Sequence, residues 1–128
     1  MKKAAIRSIN YYLPEKTLTN AELAKDFPEW SAEQILTKTG ISTRHIAAKN
    51  ETASDLAFHA AQNLFSEGNY SAEDIDMVIL CTESPDYILP TSACTIQHRL
   101  GIPTTAGAFD INLGCSGYVY SLSIAKGL

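Results

Sequence analysis

The segment Asn112-Leu113-Gly114-Cys115-Ser116-Gly117 sets one thiol between two glycines. Cysteine sulfur attacks activated carbonyls and holds the acyl group as a thioester, so acyl transfer is the chemistry this spot suits. A strand before the thiol and a helix after it must position it. Residues 105–112 carry small and apolar side chains at their centre and read as a buried strand. A helix beginning near Ser116 lines up Tyr118, Val119, Leu122 and Ala125 on one apolar face. A thiol at this joint lies near the positive end of the helix dipole, which favours thiolate over thiol. The flanking glycines permit a sharp turn and close approach of a substrate to the backbone. The competing reading is a small apolar residue packed at a strand end, because free cysteine is often buried.

A reactive cysteine also calls for a base, an orienting group and an oxyanion site. Three histidines are available, His45, His59 and His98. His59 falls in a long helical pattern, His98 sits beside Gln97 and Arg99 as a surface position, and His45 follows Arg44 in an irregular stretch. None has a context that marks a base, and each reads as structural or solvated. Without HxxxH or HExxH spacing they predict no metal site. Cys81 and Cys94 read as buried packing residues, Glu83 and Asp86 as solvated carboxylates, and Trp30 as a hydrophobic anchor between two short helices.

Around the thiol, strand and helix patterns alternate. Residues 4–12 read as a strand ending at Leu13-Pro14. Thr19-x-x-Glu22 is a capping-box pattern opening a short helix that Pro28 closes. Ser31-x-x-Gln34 opens a second, with Gly40 as its left-handed C-terminal residue. Residues 41–48 are extended or irregular. Thr52-x-x-Asp55 caps a stronger helix with Leu56, Ala57, Ala60, Ala61, Leu64 and Phe65 on its apolar face, stopped by Gly68. The continuous run Met77-Val78-Ile79-Leu80-Cys81 predicts a strand covered on both faces, as in a parallel sheet between helix layers. A loop over 82–90 precedes a helix over 91–100 with Ala93, Ile96 and Leu100 on one face. The alternation indicates an α/β layered fold.

Length and composition bound the function. The 128 residues suffice for one domain, with 45% hydrophobic and 19% charged residues and no low-complexity segment. A net charge of −4 argues against a nucleic-acid binder, which would show a basic stripe. No apolar run approaches the roughly 18 residues of a membrane span. Met1-Lys2-Lys3 resembles the start of a signal peptide, but Arg7, Ser8 and Asn10 interrupt any apolar core, so no signal is read. Three cysteines without CxxC spacing fit reduced thiols in a cytoplasm.

Several segments together point to a family. They are Tyr12-Leu13-Pro14-Glu15, Thr19-Asn20-Ala21-Glu22-Leu23, and Lys38-Thr39-Gly40-Ile41 followed by Arg44-His45-Ile46-Ala47. Further along come Asn50-Glu51-Thr52, Pro90-Thr91-Ser92-Ala93-Cys94 with Ile96-Gln97, Phe109-Asp110 and Gly114-Cys115-Ser116-Gly117. In order and spacing these resemble the N-terminal part of the β-ketoacyl-acyl-carrier-protein synthase III family, of the thiolase-like superfamily.

The resemblance implies a helix-sheet-helix thiolase-like fold, with residues 1–128 as its N-terminal half and the C-terminal half absent. It implies an acyltransferase of fatty-acid biosynthesis in which Cys115 takes an acyl group from acyl-CoA. Decarboxylative condensation with malonyl-acyl-carrier protein then gives a β-ketoacyl thioester. The family's catalytic histidine and asparagine lie in the second half, so this chain alone is expected to be inactive. No cofactor is implied, since acyl-CoA is a substrate. The implied partners are acyl-CoA, acyl-carrier protein and a second subunit of a cytoplasmic homodimer, with no nucleic acid and no membrane. Trp30 is similar to the family's adenine-stacking tryptophan, although it stands ten residues before Gly40, a few more than in the common pattern. Lys38 replaces an arginine that contacts CoA phosphate; it offers a point charge in place of a planar fork. Leu89 matches the residue that lines the partner subunit's acyl pocket. The alternatives are another thiolase-fold synthase (hydroxymethylglutaryl-CoA synthase-like or a secondary-metabolite ketosynthase) and a non-catalytic half that acts only by pairing. The helix after Cys115 is expected in the middle layer of the complete fold, so in isolation it would expose an apolar face.

Overall fold

Side-chain caps fix where the helices begin. In the computed structural model, which describes residues 4–128, Thr19, Ser31 and Thr52 each accept from a backbone N–H three residues on. Glu22, Gln34 and Asp55 reach back to the capping residue's own N–H. These reciprocal bonds satisfy donors that a helix start leaves open. They open α1 (Asn20–Asp26), α2 (Ala32–Thr39) and α3 (Ala53–Ser66). Two further helices follow, α4 (Ser92–Arg99) and α5 (Gly117–Gly127). The strands are β1 (Lys16–Thr19), β2 (Thr43–Ile46), β3 (Met77–Cys81) and β4 (Gly107–Ile111).

The chain divides into two compact units. Leu13–Glu51 forms one, in which β1 pairs antiparallel with β2, Lys16 opposite Ile46 and Thr19 opposite Thr43. Ile35 is its buried apolar anchor. Buried Asn20 ties the unit together: its Nδ2 donates to the Ile41 carbonyl at 2.8 Å and its Oδ1 accepts from Arg44 Nη2 at 2.8 Å. Gly40 ends α2 at φ 69°, a left-handed conformation that glycine adopts without steric cost.

The other unit joins residues 4–12 to Thr52–Leu128. Here β3 and β4 run parallel, Met77 opposite Gly107 and Cys81 opposite Ile111. Both α4 and α5 pack on β3, and α3 packs on α4. Ala93, Ile96 and Ile102 are its buried apolar residues. The α3–α4 contact is locked by Arg99, whose Nη1 meets Asp55 Oδ1 at 2.8 Å while its guanidinium lies 4.1 Å from the Phe58 ring centre.

One expected element is not formed. Residues 4–12 have no strand partner. A strand exists only where a neighbour exchanges backbone hydrogen bonds with it. This segment is held instead by side chains: Ser8 Oγ and Asn10 Nδ2 donate to Glu67, Asn63 Nδ2 donates to the Tyr11 carbonyl, and the Tyr12 ring lies 4.8 Å from His59. The strand forms after Pro14, as β1. The Met1-Lys2-Lys3 part of the signal-peptide reading lies outside the described residues. Among the described residues no helix is long and apolar enough to cross a membrane.

Candidate active site

The parallel ladder delivers the chain to the thiol. Beyond β4 the Thr82 N–H donates to the Ile111 carbonyl at 3.1 Å, and Leu113 N–H turns back on the same oxygen at 3.0 Å. The Gly117 N–H then donates to the Gly114 carbonyl at 2.8 Å, closing a turn with Cys115 and Ser116 at its corners. The first α5 bond follows, from Tyr120 N–H to the Ser116 carbonyl at 3.1 Å. Cys115 is exposed on this turn, immediately ahead of the helix N-terminus.

The two glycines are there for space. Neither has a positive φ. A methyl on Gly114 would run into the Glu83 carboxylate. One on buried Gly117 would run into Cys81 Sγ and come within 3.0 Å of Leu113 Cβ. The turn therefore lies directly against the end of β3, and Cys81 Sγ donates to the Leu113 carbonyl at 3.4 Å. A cavity of about 670 Å³ opens beside it, walled by Ile79, Cys81, Glu83, Gly114, Tyr118 and Leu122.

Several expectations change. Cys94 is exposed; its sulfur accepts from Thr91 Oγ1 at 3.2 Å and donates to the Ala108 carbonyl of β4 at 3.9 Å. Cys81 is half-buried as a packing residue. Glu83 is exposed but carries its carboxylate over Gly114. Asp86 is no solvated carboxylate: Thr52 Oγ1, Ser54 N–H and Ser54 Oγ all donate to it. Sequence reasoning misses it because its partners lie 32 and 34 residues away. His45 Nδ1 is 2.5 Å from the Pro14 carbonyl, and His59 packs against Tyr12 and Phe58. Both are structural, and His98 is exposed in the last turn of α4.

Trp30 and Lys38 meet in the Leu13–Glu51 unit. Both line a cavity of about 230 Å³ with Glu33, Gln34 and Thr37. The recurrence 30, 33–34, 37–38 is the period of one helix face, so α2 carries Lys38 back onto the side where Trp30 stands. Trp30 is 40% exposed there. Leu89 sits at the tip of the loop after β3 and is 80% exposed, next to Ile88 at 92%.

Hydrogen bonding also tunes carboxylates at the caps. The Thr52 N–H, more than the Thr52 hydroxyl or Arg99, holds the Asp55 carboxyl below the usual aspartate range against an opposing desolvation cost. Glu22 and Asp74 are lowered in the same way by Thr19 and Ser71. Among the described residues no three His, Cys, Asp or Glu side chains converge as a metal site would require.

No protein-family model matches the chain. Over 123 residues it is 47% identical to the β-ketoacyl-[acyl-carrier-protein] synthase III of Xylella fastidiosa, which covers 96% of this chain and 37% of that protein. A crystal structure of a 3-oxoacyl-(acyl-carrier-protein) synthase III superposes with a TM-score of 0.93 at 63% identity, covering 99% of this chain and 38% of the other. The β-ketoacyl-[acyl-carrier-protein] synthase III of Thermus thermophilus superposes with a TM-score of 0.87 at 38% identity, covering 98% and 38%. The chain thus spans little more than a third of the length of the proteins it matches. By sequence identity and by fold, it belongs to the β-ketoacyl-acyl-carrier-protein synthase III family and corresponds to the N-terminal part of that thiolase-like fold.

Proposed function

We propose that Cys115 is the acyl-accepting nucleophile of a condensing enzyme of the synthase III type, and that residues 1–128 form the nucleophile-bearing part of one thiolase-like domain. The observation that carries this is the exposed thiol on a tight turn between a parallel strand and a helix N-terminus. The sulfur attacks the thioester carbonyl of an acyl-CoA. The tetrahedral oxyanion collapses, CoA leaves as its thiolate, and the acyl group stays on Cys115. The backbone N–H of Cys115 is suited to donate to that oxyanion. Malonyl-acyl-carrier protein then loses carbon dioxide, and its enolate carbon attacks the acyl thioester. The Cys115 thiolate leaves, and the β-ketoacyl product on the carrier is two carbons longer than the acyl group.

The CoA portion is read onto the Trp30–Lys38 cavity. The adenine stacks on the half-exposed indole and the ammonium of Lys38 faces phosphate as a point charge. Leu89 reaches the acyl pocket of a second copy in a cytoplasmic homodimer, a role that suits a leucine 80% exposed on a loop tip. Competitive alkylation at neutral pH tests the assignment of Cys115. Labelling of Cys115 ahead of both Cys94, also exposed, and Cys81 supports it. Labelling of Cys94 first sinks it.

A further inference from the structure

Asp86 stands in the middle of the loop between β3 and α4, and its carboxylate is spent on α3. Its Oδ1 accepts from the Ser54 N–H at 3.2 Å, while Oδ2 accepts from Thr52 Oγ1 at 2.9 Å and from Ser54 Oγ. Its own N–H donates to Ser92 Oγ at 3.1 Å. Ser54 and Ser92 are 1% and 0% exposed, so the half-buried Asp86 carboxylate and its N–H are tied to two buried side chains. The chain of contacts continues: the N–H groups of Ser92 and Ala93 donate to Asp110 at 2.8 and 2.7 Å. Asp110 lies on β4, five residues before Cys115.

Two carboxylates thus sit on two helix N-termini, where the dipole favours negative charge. One polar relay runs from α3 through Asp86 to α4 and the strand that delivers the thiol. Past Asp86 the loop tip is bare: Ile88 is 92% and Leu89 80% exposed. A tip with so little packing of its own takes its position from its anchors. We infer that Asp86 is a positioning residue for acyl-donor selection, fixing the loop from which Leu89 is presented to the second copy. The inference rests on the roles proposed above for Cys115 and Leu89.

Asp86→Ala removes the acceptor of the Ser54 N–H and leaves the Ser54 hydroxyl only Thr52 Oγ1, and buried donors without partners are costly. Asp86→Asn keeps an oxygen for the Ser54 N–H and turns an amide toward the two hydroxyls, which can accept. It is the rescue variant. The experiment measures hydrogen exchange across residues 82–90 and the rates of Cys115 acylation by acetyl-CoA and hexanoyl-CoA. In Asp86→Ala, exchange over 82–90 is expected to rise. The ratio of the two rates is expected to move by about tenfold, the scale on which an apolar pocket senses chain length. Asp86→Asn is expected to restore both. Unchanged exchange in Asp86→Ala overturns the anchoring. Faster exchange with both rates falling by one common factor overturns the role in selection. Wild-type protein that takes up neither acyl group overturns the reading of Cys115 and the inference with it.

Discussion

At the residue scale, a methyl group added at Gly117 would occupy the space of the Cys81 sulfur and press on Leu113 Cβ. The sulfur stands one bond from the β3 Cα–Cβ stem and donates to the Leu113 carbonyl, so yielding to the methyl breaks that hydrogen bond. Gly117→Ala is therefore expected to destabilise the protein by about 1–3 kcal/mol, the usual cost of overpacking. Cys81→Ala should relieve part of that loss in the double variant, read from denaturant midpoints. The methyl at Gly114 meets only the far end of Glu83, a flexible side chain, so Gly114→Ala is expected to cost less than Gly117→Ala. Equal losses at the two positions would contradict this geometry. The thiol between glycines is legible in the sequence because turn chemistry is local. The reason for the glycines is not, since the atoms they make room for belong to Cys81 and Glu83, more than thirty residues earlier.

At the scale of elements, helix starts are the most legible part of the chain. A capping box uses residues three apart, so Thr19, Ser31 and Thr52 announce their helices without reference to the rest of the fold. Thr52→Ala removes the α3 cap and is expected to cost about 1 kcal/mol, measured by urea unfolding. The carboxylate of the same box has a pH signature. Asp55 has its folded-state pKa below its unfolded one, so its stabilisation is complete above roughly pH 4 and is lost as pH falls through the lowered pKa. Asp55→Asn should be less stable than wild type at pH 7, with the gap closing below about pH 4. A gap that persists undiminished at pH 2 would refute this. Strands are less legible: the polar and apolar mixture at 4–12 reads as a strand, yet pairing depends on a neighbour that no local pattern supplies.

At the scale of the molecule, α5 presents Tyr118, Val119 and Tyr120 at 61, 67 and 58% exposure. With Leu122 and Ile124 also exposed, α5 leaves large apolar side chains open to solvent, and such exposure drives association. The 128-residue chain is expected to self-associate as concentration rises in sedimentation experiments, and a monodisperse monomer at all concentrations would contradict that. The parallel β3–β4 pair and its helices are legible because apolar runs and caps alternate along the sequence. The meeting of Trp30 and Lys38 on one cavity is not, because they stand eight residues apart in the sequence and only the turns of α2 bring them to one side. The most direct test of Cys115 as acyl acceptor is intact mass after brief incubation with a panel of acyl-CoAs, beside Cys115→Ala. A gain of one acyl group that disappears in Cys115→Ala is predicted. An adduct that survives the substitution, or no adduct with any donor on folded protein, would contradict it.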